Sequence, residues 1–418
     1  MAALIHPSRG LLPADPPALA SWVARKIATS VQCTTGPLAP VIQEFQELIE
    51  NDPQIYMYFH QMFDQVPKTP PYDNDPTGRN PQVRDYKVML ALFNQIITES
   101  IEYERGGYIA SPISIILNWP MGTPAGFAAF TNPKVNAQFR KVFDVWTSFL
   151  TSRDSCYVLN SDDCGWFGPA AKEDMPDFDK TYVCDPDAEY HGFTSWDDFF
   201  TRRFRDGVRP VACPDDDSIV TCACESQVLR IARNVKARDS FWLKGQPYSL
   251  EDMLNNDPLA AQFTDGTVFQ AFLSVISYHR WHSPVNGTIV KTVLVPGTYF
   301  AESPAMGFAN PDGPDPYAAM ESQAFLTSVA TRALVFIQAD NPRIGLMCFV
   351  AVGMAEVSTC DVTVVPGDVV KKGDEIGTFH FGGSTHCLLF RPETKIEFVG
   401  CAEGTDIQLN TVIATVAH

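Results

Sequence analysis

The spacing of the apolar residues changes part-way along the chain, and this change restricts the possible folds more than any other feature. Before residue 150 they recur every three or four positions, as in Met89, Leu92 and Phe93, which predicts amphipathic helices. Beyond residue 190, short β-branched runs are separated by Gly and Pro, which is typical of strands joined by turns. We therefore predict an α+β fold. Its parts are a helical domain over residues 1–150, an irregular linker over 151–190 and a β-rich domain over 191–418.

Composition and charge exclude several classes of function. With 418 residues, 45% hydrophobic and 19% charged, the chain can bury a substantial core. Its formal net charge of −18 argues against binding to nucleic acid or to an anionic membrane surface. Neither a secretory signal nor an apolar stretch of membrane-spanning length is recognisable. The 11 Cys form no CxxC pair, which predicts reduced, mostly buried thiols. We therefore expect a cytoplasmic protein without nucleic-acid or membrane partners.

Two Pro-Gly turns in the β-rich part, Pro296-Gly297 and Pro366-Gly367, are flanked by Val and Ile and indicate a compact antiparallel sandwich. The second, within residues 365–377, resembles the hairpins of biotinyl and lipoyl carrier domains. Those domains attach their cofactor to a Lys at a tight hairpin tip flanked by Met. This chain has no such Lys, so a carrier function is disfavoured.

The tetrapeptide Gly382-Gly383-Ser384-Thr385 places a hydroxyl directly after two glycines. Glycine allows backbone conformations closed to other residues, so the Ser384 hydroxyl can approach the preceding carbonyl. Attack on the Gly383 carbonyl would give an ester. Elimination and hydrolysis would then convert Ser384 into a pyruvoyl group and release ammonia. Taken alone, however, the tetrapeptide fits a polar turn between two strands better.

Two histidines and one glutamate are further candidates for chemistry. His279 and His282 are spaced as metal ligands can be, but they also fit a general base with a partner or two core histidines. A third ligand is not evident and Pro284 indicates a turn, so we predict no metal site. Glu225 follows a predicted strand and either orients an imidazole or is simply solvated.

Four motifs stand in the order found in phosphatidylserine decarboxylases, which the chain resembles from about Phe193 to Val416. They are Trp196–Arg203 with Arg209-Pro210, Lys244-Gly245 with Tyr248-Ser249-Leu250, Tyr278–Gly287, and Gly383-Ser384-Thr385. The resemblance implies a carboxy-lyase made as a zymogen, which cleaves itself between Gly383 and Ser384. It further implies a covalent pyruvoyl cofactor derived from Ser384, and large and small fragments that remain associated.

The resemblance also assigns the candidate residues. By position, His282 matches the base for self-cleavage and His279 matches the histidine of decarboxylation. The family usually has Asp in a Pro-Ala-Asp-Gly context, whereas this chain has Ala223-Cys224-Glu225-Ser226. Because Glu reaches one methylene farther, we expect Glu225 to orient His282 in place of that Asp.

The N-terminal part resembles the soluble fungal L-tryptophan decarboxylases of the psilocybin pathway. The similar segments are residues 38–45, 49–53, 62–63 and 163–166. This implies that an aromatic L-amino acid is the substrate, with L-tryptophan converted to tryptamine in secondary metabolism. Two alternatives stay open: a phosphatidylserine decarboxylase making phosphatidylethanolamine, and a non-catalytic binding protein on the same fold. Residues 303–320 suit a lid or a surface excursion equally, and the sequence does not give the pocket or the oligomeric state.

Overall fold

The computed structural model describes residues 37–74, 81–103, 112–239, 248–315, 317–357, 359–381 and 384–417. These residues form two compact units. The helical unit comprises the described residues up to 179 together with 184–199 and 298–322. Of the described residues, the sheet unit comprises 180–183, those within 200–297 and those from 323 onward. The predicted α+β class is confirmed.

Helices begin where the sequence supplies a start signal. Asp52 accepts hydrogen bonds from the backbone N–H groups of Gln54 and Ile55, and Pro53 occupies the first helical position. Asp85 caps the next helix in the same way. The α-helices are α1 (Pro40–Asn51), α2 (Pro53–Asp64), α3 (Tyr86–Ile96), α4 (Pro112–Met121), α5 (Pro124–Phe130), α6 (Pro133–Leu150), α7 (Pro169–Asp174), α8 (Phe178–Thr181), α9 (Trp196–Phe200), α10 (Leu250–Met253), α11 (Ala318–Glu321) and α12 (Gln323–Val329). Short 3-10 helices span Arg153–Val158, Glu189–Gly192, Pro258–Phe263 and Ala355–Val357.

Aromatic rings fill the centre of the helical unit. The ring of Phe139 on α6 lies 5.0 Å from that of Phe45 on α1 and 4.9 Å from that of Phe300. Phe300 therefore draws residues 298–322 into the helical unit, although the sequence assigned them to the β-rich domain. The linker expected over 151–190 likewise contains short helices, and most of it belongs to the helical unit. The boundaries in the structure thus differ from the predicted ones.

The sheet unit contains one large antiparallel sheet and two small ones. Its strands are β1 (Ile219–Thr221), β2 (Ser226–Arg233), β3 (Thr267–Leu273), β4 (Arg280–His282), β5 (Gly287–Val295), β6 (Arg332–Ala339), β7 (Leu346–Gly353), β8 (Thr359–Val362), β9 (Val369–Val370), β10 (Glu375–His380), β11 (Ser384–Phe390), β12 (Ile396–Phe398), β13 (Asp406–Ile407) and β14 (Val412–Val416). The large sheet has the order β13-β2-β3-β11-β7-β6-β5-β9, and the small sheets are β1-β14-β12 and β4-β10-β8.

The two faces of the large sheet differ, because one of them packs into the main hydrophobic core. Because side chains alternate along a strand, Phe269, Phe349 and Leu388 all point to the same side, which we call the inner face. The opposite side, which we call the outer face, carries Gln270 and Thr385. β3, β7 and β11 are buried along their whole length, so both faces of the sheet are covered there.

Candidate active site

Ser384 is the first residue of β11, a central strand of the large sheet. It pairs with Leu273 of β3 on one side and with Gly353 of β7 on the other. Its side chain is completely buried, points to the inner face, and its hydroxyl oxygen has no hydrogen-bond partner. Gly382 and Gly383 lie outside the described residues.

A buried hydroxyl without a partner is costly, by about 1–3 kcal/mol for a polar group of this kind. Natural cores contain few such groups, and those that persist call for a chemical explanation. The neighbouring strands hold the Ser384 backbone through ladder pairs on both sides. The Ser384 backbone is thus held in place on both sides while its hydroxyl makes no hydrogen bond.

The backbone is strained just before the two glycines. Phe381 has φ of +74° although it is neither Gly nor Asn, and its side chain is buried. A bulky residue in this region costs about 1–3 kcal/mol and persists only where the surrounding structure enforces it. The strain lies three residues before Ser384, at the end of β10. Sequence reasoning did not identify Phe381, because a backbone angle of this kind leaves no signal in residue type.

Both ring nitrogens of His282 are engaged in hydrogen bonds. Nδ1 lies 2.6 Å from the carbonyl oxygen of Gly373, and Nε2 lies 3.0 Å from the hydroxyl of Tyr278. Because a carbonyl only accepts, Nδ1 carries the proton and Nε2 presents its lone pair to the Tyr278 hydroxyl. Burial lowers the pKa of His282, so the imidazole is held neutral, as a base must be.

His279 is fully buried three residues before His282. Its ring stacks on Phe200, with ring centroids 4.1 Å apart. Its carbonyl accepts a hydrogen bond from the backbone N–H of Phe379, at 3.0 Å. Phe379 belongs to β10, the strand that leads to the Gly-Gly-Ser sequence, and β10 also pairs with β4. The structure therefore joins the segment of both histidines to the strand that precedes Ser384.

Glu225 does not orient His282, contrary to the expectation from the sequence. One carboxylate oxygen accepts from Nε and Nη2 of Arg209, at 2.9 and 2.5 Å, and the other accepts from the backbone N–H of Leu409. Hydrogen bonds between charged groups are stronger than those between neutral groups, so the two from Arg209 to one oxygen, with the backbone bond to the other, hold Glu225 firmly. Gly373 and Tyr278 occupy the His282 nitrogens instead. The segment still touches the histidine, since Ala223 accepts from the His282 backbone N–H at 2.9 Å.

A third histidine, which sequence reasoning did not select, lies on the same strand face as Ser384. His386 is fully buried, neither ring nitrogen has a hydrogen-bond partner, and its ring stacks against Phe349 at 5.7 Å. Burial lowers its pKa to about 3, so the ring is neutral and serves as part of the apolar core. Within the described residues, no group of three or more His, Cys, Asp or Glu could hold a metal ion.

The chain is similar in sequence to known decarboxylases over most of its length. Two family models, both described as phosphatidylserine decarboxylase, match residues 39–175 and 196–414. The chain is 41% identical to the L-tryptophan decarboxylase of Psilocybe cubensis over 393 residues, which cover 89% of this chain and 85% of that protein. It is 47% identical to decarboxylase iboD of Amanita muscaria over 320 residues, covering 73% and 91%. It is 30% identical to phosphatidylserine decarboxylase proenzyme 2 of Oryza sativa subsp. japonica over 235 residues, covering 55% and 35%.

Proposed function

The chain belongs to the phosphatidylserine decarboxylase family and is a carboxy-lyase, and we propose that it cuts itself between Gly383 and Ser384 to make a pyruvoyl group for decarboxylating an aromatic L-amino acid. The single observation that carries the cleavage is the Ser384 hydroxyl, which is buried and unpartnered at the start of a central strand. The strained Phe381 just before the glycines supports it further.

In the proposed self-cleavage, Ser384 Oγ attacks the Gly383 carbonyl carbon, and Nε2 of His282 takes the hydroxyl proton after giving up its hydrogen bond to Tyr278. The peptide bond becomes an ester. Loss of the α-hydrogen of residue 384 then expels the Gly383 carboxylate and leaves dehydroalanine. Tautomerisation and addition of water release ammonia, and residue 384 becomes an N-terminal pyruvoyl group. Neutral His282, with its lone pair on Nε2, supports the first of these steps.

The site residues also suit the later decarboxylation. A pyruvoyl group at residue 384 would supply a carbonyl able to accept the electrons left when CO2 departs. We propose that His279 returns a proton to the α-carbon of the substrate. Its ring is fixed by stacking on Phe200, so a proton carried on it would have a defined direction.

Sheet pairing supports the proposal that the two fragments stay together. After cleavage the small fragment would begin with β11, which pairs along all seven of its residues with β3 and also with β7 of the large fragment. β14 pairs with β1, and β13 pairs with β2, in the same way. The cut would therefore leave a ladder on both sides of β11 intact.

Similarity supports L-tryptophan as the substrate and tryptamine as the product. The similarity to the Psilocybe cubensis L-tryptophan decarboxylase extends over both the helical and the sheet unit, at 41% identity. The similarity to the rice phosphatidylserine decarboxylase proenzyme covers only 55% of the chain. In the part of the chain that the structure describes, no helix is long and apolar enough to cross a membrane. We propose that the enzyme acts on a small amino acid in the cytoplasm.

Gel electrophoresis and intact mass spectrometry test the cleavage. The parent protein should give two fragments, with a pyruvoyl group at the N-terminus of the small one. Ser384→Ala and His282→Ala should each remain one chain. Ser100→Ala, which removes another buried hydroxyl in the helical unit, should be cut like the parent. An active parent protein that proves to be one unmodified chain would refute the proposal.

An assay of CO2 release tests the substrate. L-tryptophan, phenylalanine, tyrosine and phosphatidylserine should be offered in parallel to the cleaved protein. We expect turnover of tryptophan in excess of the others. Release of CO2 from phosphatidylserine vesicles alone would instead identify a lipid enzyme, and cleavage without turnover of any of the four would reject the aromatic assignment.

A further inference from the structure

A chain of hydrogen bonds lies on the outer face of the sheet, directly behind Ser384. The next residue, Thr385, points to this face, and its hydroxyl donates to the carbonyl of Ala271 at 3.0 Å. It accepts from Nε2 of Gln270 at 3.2 Å, and Oε1 of Gln270 accepts from the hydroxyl of Tyr248 at 2.5 Å. We call Tyr248, Gln270 and Thr385 the outer relay.

The outer relay is buried and its directions are fixed. Tyr248, Gln270 and Thr385 are 2%, 1% and 0% exposed. Nε2 of Gln270 also donates to the carbonyl of Gln323 at 3.3 Å, so the amide cannot be turned over without losing bonds at both ends. Burial raises the pKa of Tyr248 well above its usual value, so its hydroxyl remains a donor. Hydrogen-bond chains of this kind hold side chains in one arrangement.

The two faces of β11 therefore differ sharply at its first two residues. On the inner face the hydroxyl of Ser384 has no partner. On the outer face the hydroxyl of Thr385 has two. This contrast fits a strand in which residue 384 must react and residue 385 must not move.

We infer that Tyr248, Gln270 and Thr385 are positioning residues that hold the reactive group formed from Ser384. The inference rests on the proposed function. Before the cut, residue 384 is tethered on both sides. After the cut it begins a new chain, and chain ends fray unless side chains tie them down. The nitrogen of Thr385 would carry the acyl group, so anchoring Thr385 anchors that group.

This role predicts a specific kinetic pattern. A misplacement of about 1 Å at a reacting centre can lower a rate about 100-fold. Loss of the anchor should therefore lower kcat about 10–100-fold and leave KM within about twofold, because the anchor holds the reacting group rather than the substrate. Self-cleavage should still go to completion, since the uncut chain tethers residue 384 from both sides.

The test compares pairs of variants in cleaved, purified protein. Thr385→Val removes the hydroxyl at nearly constant shape, whereas Thr385→Ser keeps the hydroxyl and removes the methyl group. Tyr248→Phe removes only the far end of the outer relay. Tyr86→Phe is the matched control, because it removes a buried hydroxyl of the helical unit that bonds to Glu50 at 2.9 Å. We expect Thr385→Val and Tyr248→Phe to lose kcat as stated, and Thr385→Ser and Tyr86→Phe to match the parent.

The outcomes separate this inference from the proposed function. If the parent is not cleaved, the proposed function fails first. If it is cleaved and active, and Thr385→Val and Tyr248→Phe keep its kcat, only the outer relay is refuted. A kcat of Thr385→Ser as low as that of Thr385→Val also refutes it, because loss of the hydroxyl would then not explain the lower kcat. Should Thr385→Val fold poorly, Tyr248→Phe decides alone, judged at equal cleavage and equal melting temperature.

Discussion

The helical unit and the sheet unit use their polar side chains in different ways. In the helical unit several of these groups serve helix ends and surfaces: Asp52 caps α2 and also pairs with exposed Lys134 at 2.7 Å. In the sheet unit Ser384 and His386 lie fully buried on one strand face without partners. Helix caps stabilise a fold, whereas unpartnered buried groups weaken it. The proposed cleavage uses one of these unpartnered groups, the Ser384 hydroxyl, and therefore places the proposed chemistry in the sheet unit.

The largest expected effect is on kcat, and it is measured by replacing one histidine in each unit. Only the replacement in the sheet unit should lower kcat. His279→Ala should leave both fragments but lower kcat about 100- to 10,000-fold, the usual contribution of a positioned proton donor. His60→Ala removes a partly buried histidine of the helical unit and should change neither cleavage nor kcat. The measurements are a denaturing gel and CO2 release from L-tryptophan.

Two results would break this comparison. An uncut His279→Ala protein would mean that the roles of His279 and His282 are wrongly divided. A similar loss of kcat in His60→Ala would place part of the chemistry in the helical unit.

The fold class was predictable because helix and strand periods are local properties of the sequence. Asp52 followed by Pro53 is a helix-start signal in the sequence, and α2 begins there, directly after α1 ends. The assignment of residues 298–322 was not predictable. It depends on Phe300 meeting Phe139, a contact between distant parts of the chain that no local pattern encodes.

The candidate site was predictable in its residue types more than in its contacts. The Gly-Gly-Ser-Thr sequence alone fitted a polar turn better, and the family resemblance assigned Ser384; the structure adds that its hydroxyl is buried without a hydrogen-bond partner. The prediction that Glu225 orients His282 was wrong, because Glu225 binds Arg209 instead. Arg209 comes close to Glu225 only in the folded chain, so the sequence gives no sign of this pair. Gly373 could not have been found from sequence, since any residue can supply a backbone carbonyl.

A smaller effect should appear in the acid stability of the sheet unit. The pKa of His386 is about 3 when folded, against 6.5 for the ordinary group. Between these values the unfolded chain binds more protons, so stability falls as the pH drops below 6.5. The loss is about 1.4 kcal/mol per pH unit, or about 2 kcal/mol at pH 5. His386→Phe should remove this dependence.

Urea unfolding at about pH 7 and about pH 5 measures it, in the uncut Ser384→Ala background so that one chain unfolds. Equal slopes of stability against pH in the two proteins would show that His386 is not held neutral. A neutral, unpartnered histidine would then no longer distinguish the buried face of the sheet unit.

The smallest effect should have the opposite sign and come from the helical unit. Glu302 is 2% exposed, and Oε2 has no partner. Its Oε1 would lie 2.5 Å from a Cβ added to Gly122, so only glycine leaves room for it there. Burial, and then the nearby charge of Asp315, raise the pKa of Glu302 well above 4.5. The folded chain therefore keeps a proton that the unfolded chain has lost, and stability present below pH 4.5 is lost as the pH rises.

Glu302→Gln keeps the shape and cannot ionise, so it should stabilise the protein at about pH 8 and have little effect near pH 4.5. The gain should be about 1 kcal/mol, because the amide inherits the unpartnered position of the carboxyl group. Urea unfolding followed by far-UV circular dichroism, which the helices dominate, is the measurement. The double variant with His386→Phe should be stable over a wider pH range than the parent. Glu302→Gln removes a buried acid that destabilises at high pH, and His386→Phe removes a buried base that destabilises at low pH. A variant destabilised at about pH 8 would contradict this expectation, because the carboxyl group of Glu302 would then stabilise the fold more than a neutral amide does.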